Sequence, residues 1–394
     1  MQILKTLKKL YFATLMQNQI ILSLGSNVGN RQQNIQDAVN EIHATIGIVL
    51  KISNVYETAS WGFESTAFLN IVLIIETSKT AFEVLDSALQ IETNLGRIRN
   101  SFDSYEARTI DIDLIDCNNF AINSEKLKLP HPQMHLRQFV LKPMLDLEVD
   151  FHHVTLNQSL QNLITNCTDK SDVNFYVILE NPLSQINVQK YNYIAIEGNI
   201  GAGKTTLANK IAHHFNAKTV LERFADNPFL PKFYKDQNRY AFPLEMSFLA
   251  DRYKQLSDDL AQFDLFSDFL VADYHIFKSL IFAKVTLHED EFRLYKTMFD
   301  IVYREMPKPD LYVFLYQNTE RLLANIKKRG RDYEQEISSE YLGKINQGYL
   351  DYIKQQQDLN VVIIDVSDRD FVQNHEDYIF ILDEIGKKVK CQMS

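Results

Sequence analysis

The 394-residue sequence has few cysteines, no long apolar run and no excess of basic residues. Its three cysteines, Cys117, Cys167 and Cys391, show neither the spacing of metal ligands nor that of a disulfide framework, which predicts a protein of the reducing cytoplasm. No run of about 18 apolar residues occurs, and this excludes a membrane-spanning helix. The formal net charge of −10 argues against broad nucleic-acid binding, although local clusters of Arg and Lys could hold anionic substrates.

The sequence also shows neither internal repeats nor low-complexity tracts, and we expect no signal peptide. Its opening, MQILKTLKKLYFATL, is basic and apolar but has no proper hydrophobic region and no small-residue cleavage site. Met16 stands just before the first strand-like run, so we expect residues 1–15 to be either a start-codon artefact or a loose arm. The length predicts two to three domains.

Two different patterns of secondary structure follow each other along the chain. In residues 17–165 the order of strand-like and helical segments is β-α-β-β-α-β, which predicts an α+β domain with a ferredoxin-like sheet. Residues 190–394 contain five short apolar runs separated by long helical segments, which predicts an α/β domain with a parallel sheet covered on both faces. The polar stretch 166–189 is predicted to be a linker.

A phosphate-binding loop follows the first strand of the second half. Residues 198–205 fit G-x-x-x-x-G-K-[ST] in full, after a strand and before a helix. We expect backbone N–H groups of this loop to surround a polyphosphate, Lys204 to hold the outer phosphates and the Thr205 hydroxyl to hold Mg²⁺. The predicted ATP-binding residues of the loop are Gly198, Asn199, Ile200, Gly201, Ala202, Gly203, Lys204, Thr205 and Thr206.

Charged residues that could complete a phosphoryl-transfer site lie farther along the chain. Glu222 ends the second strand, where its carboxylate could take a proton from an attacking hydroxyl if that strand is adjacent to the loop. Arg329 and Arg331 lie where a helix passes into a loop, from which they could close over the transferring phosphates. Taken alone, each of these residues is more often an ordinary solvated charge.

Together these segments resemble the deoxynucleoside kinase family, a family of P-loop kinases, over residues 190–394. The resemblance is closest to the bacterial deoxyguanosine kinase branch and rests on IAIEGNIGAGKTTL, DNPFLPKFY, LEMSFLADRYKQL, VADYHIFKSLIFA and KRGRDYE. It implies ATP-dependent phosphorylation of a deoxynucleoside, with one Mg²⁺. Because members of the family are commonly dimers, it also implies a homodimer.

The resemblance also implies roles for individual residues. Glu222 matches the base that activates the sugar 5′-hydroxyl, and Tyr234 and Glu334 match the pair that holds the 3′-hydroxyl. Glu245 falls where the family holds the edge of the base, commonly with Gln, and Arg252 lies near the same pocket. Arg329 and Arg331 match the arginines of the lid.

One triplet departs from the family pattern. Many members carry an acidic residue, Arg and Ser after the third strand, whereas this chain has Asp273, Tyr274 and His275. Asp273 keeps the acidic position and counts among the expected substrate-binding residues. The arginine is missing, and Lys278, one helical turn later, is a candidate for the missing charge. We expect His275 to be structural.

The residue at position 245 bears on the choice of nucleoside. An ionised Glu245 only accepts hydrogen bonds, and guanine presents two adjacent donors, N1–H and the N2 amine. Adenine and cytosine set a ring-nitrogen acceptor beside their amine, and thymine offers a single donor. This predicts deoxyguanosine first, deoxyadenosine second and poor use of pyrimidines. The alternative is that Glu245 pairs with Arg252 and only shapes the pocket.

The first half has its own acidic motif, in RTIDIDLI. Ile110, Ile112 and Leu114 are predicted to point to one side of a strand, and Asp111 and Asp113 to the other. Two carboxylates on one face repel each other, so the arrangement favours a divalent cation such as Mg²⁺ bridged to substrate phosphates. The alternative is an edge strand with a polar face. The basic residues around the motif, Arg97, Arg99 and Arg108, favour the metal–polyphosphate interpretation.

With these surroundings, residues 18–165 resemble 6-hydroxymethyl-7,8-dihydropterin pyrophosphokinase. The resemblance rests on LSLGSNVGNR, AFLN, IETNLGR, ARTIDIDLI and LPHPQMHLRQF, in that order. It implies transfer of a pyrophosphoryl group from ATP to the pterin hydroxymethyl oxygen, with two Mg²⁺ held by Asp111 and Asp113. The loop NSFDSYEA lacks an Arg-Trp pair that many relatives have, so we expect the rate rather than the reaction class to differ.

This second resemblance likewise implies residue roles. Phe68 and Phe139 match the aromatic pair that sandwiches the pterin, Asn70 matches the residue that bonds its edge, and Trp61 is expected to line the pocket. The positions that match nucleotide-binding residues are Glu92, Arg97, Arg108, His131 and Arg137.

Alternatives remain for both halves at this point. The first half could be a pterin- or nucleotide-binding regulatory or assembly module that has lost catalysis. The second could be another small P-loop kinase or a regulatory nucleotide-binding module. The retained acidic and basic residues favour two enzymes that act on small molecules, with neither nucleic acid nor membrane as a partner.

Overall fold

The computed structural model describes residues 17–62, 64–97, 107–223, 227–261, 268–304, 306–356 and 358–391. The expected arm at 1–15, Arg99 and most of the loop NSFDSYEA lie outside these residues. Tertiary contacts divide the chain into two compact units, Met1–Ile186 and Asn187–Ser394. Among the described helices, none combines the length and the apolar character that crossing a membrane would require.

The N-terminal unit is built around one antiparallel sheet. Its strands are β1 (Asn18–Ser26), β2 (Ile48–Ile52), β3 (Val55–Thr58), β4 (Phe68–Thr77), β5 (Asp111–Cys117), β6 (Ile122–Asn123), β7 (Lys128–Leu129), β8 (His152–His153), β9 (Gln158–Ser159) and β10 (Val173–Val177). Its helices are α1 (Arg31–Thr45), α2 (Ala81–Asn94), α3 (Gln138–Asp146) and α4 (Leu160–Asn166), with short 3-10 helices at Met134–Leu136 and Pro182–Ile186.

The order of the main sheet is β10-β3-β4-β1-β5, and β2 also pairs with β4. Alternate residues of β1 pack on opposite sides: Ile20 and Leu22 join a core with α1 and α2, whereas Ile21 joins a second core with α3 and α4. Because both faces are covered, all ten residues of β4 are buried.

The predicted β-α-β-β-α-β order of elements is present, with two differences. The strand predicted at GIVLKISNVYET is interrupted at Ser53 and Asn54, and its two parts, β2 and β3, pair with successive stretches of β4. The segment 166–189, predicted as a linker, contains β10, which pairs with β3 at the edge of the sheet. Only one of the five residues of β10 is buried, so its sequence does not show the apolar pattern of an inner strand.

The C-terminal unit is built around one parallel sheet. Its strands are β11 (Tyr193–Gly198), β12 (Lys218–Val220), β13 (Leu270–Ala272), β14 (Leu311–Tyr316) and β15 (Val361–Asp365). Its helices are α5 (Lys204–His214), α6 (Leu230–Lys235), α7 (Gln237–Ala261), α8 (Phe277–Thr286), α9 (Glu289–Tyr303), α10 (Thr319–Arg329), α11 (Ser339–Gln355) and α12 (His375–Cys391), with short 3-10 helices at Val188–Lys190 and Asp332–Glu334.

The order of this sheet is β12-β13-β11-β14-β15, and all neighbours are parallel. The five predicted strands are all present. The sequence predicts a role for Glu222 if its strand, β12, is adjacent to the strand that leads into the phosphate-binding loop, β11. This condition is not met, because β13 lies between the two strands. The carboxyl ends of β11, β12 and β13 nevertheless meet at one edge of the sheet, where ligands of open parallel sheets bind.

Two candidate active sites

The phosphate-binding loop joins the end of β11 to α5, and its shape requires glycine. Gly203 has φ +84°, and a Cβ there would lie 2.6 Å from Cζ of Phe371. Gly201 has φ +85°, and a Cβ there would lie 3.1 Å from the carbonyl oxygen of Leu322. Larger residues would have to move these neighbours and adopt a left-handed backbone. The loop therefore keeps the tight turn that leads into the start of α5, where a helix N-terminus favours an anion.

Lys204 and Thr205 begin α5 and point into one cavity of the C-terminal unit. Nζ of Lys204 donates to the carbonyl oxygen of Asn199 over 2.8 Å. The Thr205 hydroxyl donates to Asp273, whose other carboxylate oxygen accepts from the backbone N–H of Glu222 at 2.8 Å. Burial and the charge of Glu222 raise the pKa of Asp273. The hydroxyl oxygen of Thr205 and the carboxylate of Asp273, which the charge of Glu222 repels, form a pair of oxygen ligands that fits Mg²⁺.

Glu222 lies in this cavity between two cations. Arg252 donates to one of its carboxylate oxygens from Nε at 2.9 Å, and Nζ of Lys278 lies 2.5 Å from the other. Burial would raise the pKa of Glu222, but the charges of Lys278 and Arg252 outweigh it and hold the pKa well below its usual range. The carboxylate is therefore ionised and fixed in direction.

Lys278 is the candidate that the sequence offers for the charge of the missing arginine. Tyr274, which occupies the position of the missing arginine, is fully buried in the hydrophobic core. Lys278 lies on the first turn of α8 and points into the cavity. Burial, and then the nearby charge of Lys278, lower the pKa of Lys204 to about 8. Two ammonium groups that line one cavity are typical of a site for a polyanion.

This cavity has a volume of about 110 Å³. Apart from Glu245 and the charged residues Arg329, Arg331 and Glu334, the rest of its wall is aromatic and apolar. The Glu245 side chain accepts a hydrogen bond from the Thr286 hydroxyl at 3.1 Å. Burial raises the pKa of Glu245 to about 7, so the expectation of a fully ionised carboxylate is corrected: near neutral pH both forms are present. Arg252 directs its hydrogen bonds to Glu222 and Ser279, which contradicts the alternative of a Glu245–Arg252 pair.

The expected lid arginines contact the expected sugar-binding residues. Arg329, the last residue of α10, and Arg331 both form ion pairs with Glu334, the latter at 3.2 Å. The ring of Tyr234 stacks on that of Tyr333 with centroids 6.0 Å apart. Burial and the nearby charge of Glu334 raise the pKa of Tyr234, so its hydroxyl stays a hydrogen-bond donor.

A second cavity of about 240 Å³ lies on the other side of the phosphate-binding loop. It is lined by Gly201, Gly203 and Thr206 of the loop region, and by Arg321 and Phe371 from the opposite wall. The loop therefore separates two recesses, as a transfer between two bound molecules requires.

The acidic motif of the N-terminal unit lies at the start of β5. Asp111 forms ion pairs with Arg97 and with Arg108, the latter at 2.9 Å, and Asp113 forms one with Arg137 at 3.2 Å. Burial, followed by the charge of Asp111, raises the pKa of Asp113 to about 7. A divalent cation would relieve this repulsion, so the pair fits a Mg²⁺ site.

Glu92 supports this motif from α2. Its carboxylate accepts from the backbone N–H of Ile112 at 2.8 Å and forms an ion pair with Arg97. Glu92 is 1% exposed, so it anchors both the strand and the guanidinium. The sequence placed Glu92 among nucleotide-binding positions and did not indicate this bracing contact.

Both expected pterin-stacking rings line the same cavity of about 470 Å³ as Asp111 and Asp113. The guanidinium of Arg108 lies 5.8 Å from the ring of Phe68, and that of Arg137 lies 5.7 Å from the ring of Phe139. Trp61 packs edge-on against Phe139 with centroids 6.5 Å apart. The cavity thus has a flat aromatic part and a charged part.

Asn70 and His131 occupy different places in this site. Asn70 lines the cavity, and its amide donates to the Thr58 hydroxyl at 2.9 Å while its oxygen faces Gly25. A Cβ at Gly25 would lie 3.1 Å from that oxygen, so a larger residue at position 25 would crowd it. His131 is not among the cavity-lining residues. Burial and the charge of Arg137 lower its pKa to about 4, so it is neutral at physiological pH.

Comparison with known proteins agrees with this division. Residues 194–390 match the family described as deoxynucleoside kinase, and residues 21–149 match the family described as 7,8-dihydro-6-hydroxymethylpterin-pyrophosphokinase. The deoxyguanosine kinase of Bacillus subtilis (strain 168) is 40% identical over 190 residues, which cover 47% of this chain and 92% of that protein. The 2-amino-4-hydroxy-6-hydroxymethyldihydropteridine pyrophosphokinase of the same strain is 40% identical over 134 residues, which cover 34% of this chain and 79% of that protein.

A solved structure of deoxyadenosine kinase from M. mycoides is 26% identical, covers 48% of this chain and 98% of that one, and has a TM-score of 0.43. From the two family matches, the chain belongs to the hydroxymethyldihydropterin pyrophosphokinase family in its N-terminal half and to the deoxynucleoside kinase family in its C-terminal half. Both families are ATP-using kinases, so the protein is an enzyme with two kinase activities.

Proposed function

We propose that the protein pyrophosphorylates 6-hydroxymethyl-7,8-dihydropterin at its N-terminal site and phosphorylates the 5′-hydroxyl of a deoxynucleoside, preferably deoxyguanosine, at its C-terminal site. The observation that carries this is the presence of two complete charged cavities, one in each unit. Each has carboxylates, at least two cations and an aromatic wall. Retention of both sets of groups argues against a binding module that has lost catalysis.

In the C-terminal site, Glu222 is the general base for the sugar hydroxyl. Arg252 and Lys278 fix the direction of its carboxylate. Lys204 and the backbone of the loop hold the phosphates, and Arg329 and Arg331 stabilise the charge that develops on transfer. Thr205 and Asp273 would hold one Mg²⁺, which neutralises phosphate charge when bound.

The sugar and the base occupy the rest of the cavity. Tyr234 and Glu334 hold the 3′-hydroxyl, and Glu245 reads the edge of the base. The preference for deoxyguanosine is supported by the donor–acceptor pattern at Glu245 and by the 40% identity to a protein named deoxyguanosine kinase. Deoxyadenosine follows, and pyrimidines are poor substrates. The adenine ring of ATP enters the second cavity, beside Phe371.

In the N-terminal site, Asp111 and Asp113 would hold two Mg²⁺, which neutralise the transferring pyrophosphoryl group when bound. Phe68 and Phe139 stack on the two faces of the pterin, and Asn70 binds its edge. The nucleotide is held by the residues Glu92, Arg97, Arg108, His131 and Arg137. When the nucleotide binds, the arginines that pair with Asp111 and Asp113 bind its phosphates instead of these carboxylates.

Further proposals concern the assembly. We infer a ferredoxin-like fold for the N-terminal unit, supported by the antiparallel order β3-β4-β1-β5 with α1 and α2 on one face. The two domains divide near residue 186. A homodimer through the C-terminal unit is supported by an exposed apolar stripe on α9, formed by Leu294, Met298 and Ile301.

The two activities differ in their nucleotide product, so one assay separates them. The full chain is incubated with ATP and Mg²⁺, and either the pterin or one of the four deoxynucleosides is added. Pyrophosphoryl transfer releases AMP, and phosphoryl transfer releases ADP. We expect AMP only with the pterin and ADP most rapidly with deoxyguanosine. A faster release of ADP with thymidine or deoxycytidine would contradict the proposed specificity.

A further inference from the structure

Glu245 has one carboxylate oxygen that the protein leaves without a partner. The side chain belongs to α7, lines the nucleoside cavity and is 2% exposed. Its Oε1 accepts from Thr286, whereas Oε2 has no hydrogen-bond partner among the described residues. A buried, unsatisfied polar atom is costly unless a ligand completes it. Oε2 is therefore the atom that meets the base.

We propose that the protonation state of Glu245 decides how strongly guanine is preferred over adenine, so that the purine selectivity of the C-terminal site falls as the pH falls. This rests on the proposed function, in which Glu245 reads the base. In addition to its ionised state, Glu245 then has a protonated state with a different hydrogen-bonding pattern.

The two states of the carboxyl group complement different base edges. The ionised form accepts only, so it binds both N1–H and the N2 amine of guanine and is repelled by N1 of adenine. The neutral acid donates through its O–H and accepts through its C=O, so it pairs with N1 and the N6 amine of adenine. The neutral form also pairs with O6 and N1–H of guanine. Protonation of Glu245 therefore removes the preference for guanine over adenine, but it does not produce a preference for adenine.

The surroundings of Glu245 keep both states within reach near neutral pH. Burial raises its pKa to about 7, and the nearby carboxylate of Glu222 adds to this. The cations Arg252 and Lys278 lower the pKa, but both hydrogen-bond to Glu222, which takes up much of their charge. Among the described residues, the other polar or charged groups that face the cavity or interact with Glu245 are Lys204, Thr205, Tyr234, Asp273, Thr286, Tyr295, Arg329, Arg331, Glu334 and Tyr341.

A competition experiment isolates this effect. The full chain receives deoxyguanosine and deoxyadenosine together with ATP and Mg²⁺, between about pH 5.5 and pH 8.5. The ratio of dGMP to dAMP gives the ratio of the two kcat/KM values. Ionisations of ATP, of Glu222 and of Lys204 affect both substrates, so they largely cancel. We expect the ratio to fall on the order of tenfold from the alkaline to the acidic end.

Two variants serve as controls. In Glu245→Gln the side chain has one donor and one acceptor at every pH, so its ratio should be flat and should match the acidic limit of the native protein. Asp251→Asn changes an exposed carboxylate on the same helix and should keep the native pH dependence.

The possible failures are distinct. A native ratio that favours deoxyguanosine equally at every pH overturns the inference and leaves the proposed function standing. A pH dependence that survives in Glu245→Gln also overturns it, because another group must then titrate. Absence of deoxyguanosine phosphorylation at every pH contradicts the proposed function itself.

Discussion

The two active sites bring their carboxylates together in different ways. In the N-terminal unit Asp111 and Asp113 come from one strand, and the alternation of that strand puts both on the same face. In the C-terminal unit Glu222 and Asp273 come from the ends of two strands that are far apart in sequence. The first arrangement is local and depends on one strand, whereas the second depends on the whole parallel sheet.

The charges that compensate these carboxylates differ accordingly. Asp111 and Asp113 are paired with arginines, and the cavity of about 470 Å³ around them is large enough for a typical ligand. Glu222 is paired with Arg252 and Lys278 in a smaller cavity of about 110 Å³. Under the proposed function, the N-terminal site would exchange its arginines for metal and phosphate, and the C-terminal site would hold the carboxylate of Glu222 in one direction.

The strongest test of this comparison is to disable each site separately. Lys204→Ala removes the charge proposed to hold the outer phosphates and should lower deoxynucleoside phosphorylation by about 10³-fold or more, with pyrophosphoryl transfer nearly unchanged. Asp111→Ala combined with Asp113→Ala should do the reverse, because the proposed metal ligands are lost. Release of AMP measures pyrophosphoryl transfer, and release of ADP measures phosphorylation of the deoxynucleoside. Loss of both activities in either folded variant would show that the sites are not independent.

The next effect concerns Lys278, the candidate for the charge of the missing arginine. Lys278→Met should lower kcat/KM for the deoxynucleoside by about 10²-fold and move the acidic limb of its pH profile to higher pH. The sign follows because Lys278 lowers the pKa of Glu222, so its removal raises that pKa toward the assay range. Lys278→Arg keeps the charge and should retain the native profile. An unchanged profile in Lys278→Met would mean that Arg252 alone positions the base.

A smaller effect is expected on stability, through the buried Glu245. Its ordinary pKa is 4.5 and its pKa in the folded protein is about 7. Between these values the unfolded chain releases the proton while the folded protein keeps it, so stability falls as the pH rises. Relative to Glu245→Gln, the native protein should lose about 3 kcal/mol of unfolding free energy across this interval. Denaturant unfolding of both proteins at about pH 4.5 and pH 8 measures it; a constant difference would contradict the assigned pKa.

The smallest effect concerns the edge of the N-terminal sheet. A fragment of residues 17–186 keeps β10, whereas one of residues 17–170 loses it together with the bond from Lys142 to the carbonyl oxygen of Val173. We expect the shorter fragment to be less stable by about 2 kcal/mol, measured by urea unfolding. Residues 188–394 should fold as a separate piece. Equal stability of the two N-terminal fragments would restore the interpretation of 166–189 as a linker.

Comparison of the prediction with the structure separates local from non-local information. The P-loop motif, the two-residue period of RTIDIDLI and the five apolar runs are local patterns, and each correctly predicted its element. β10 was missed because an edge strand with mostly exposed side chains has no apolar run.

The sequence by itself determined the division into two parts, the order of their main elements and the chemical types of the groups at each site, because motif spacing and side-chain periodicity are properties of neighbouring residues. Only the tertiary structure decided which charges meet. Lys278 reaches Glu222 although 56 positions separate them, and Arg252 bonds Glu222 instead of Glu245 on its own helix. It also decided that Glu245 is buried with a pKa of about 7. Pairing and desolvation depend on the neighbours that folding brings together, and these neighbours are not adjacent in the sequence.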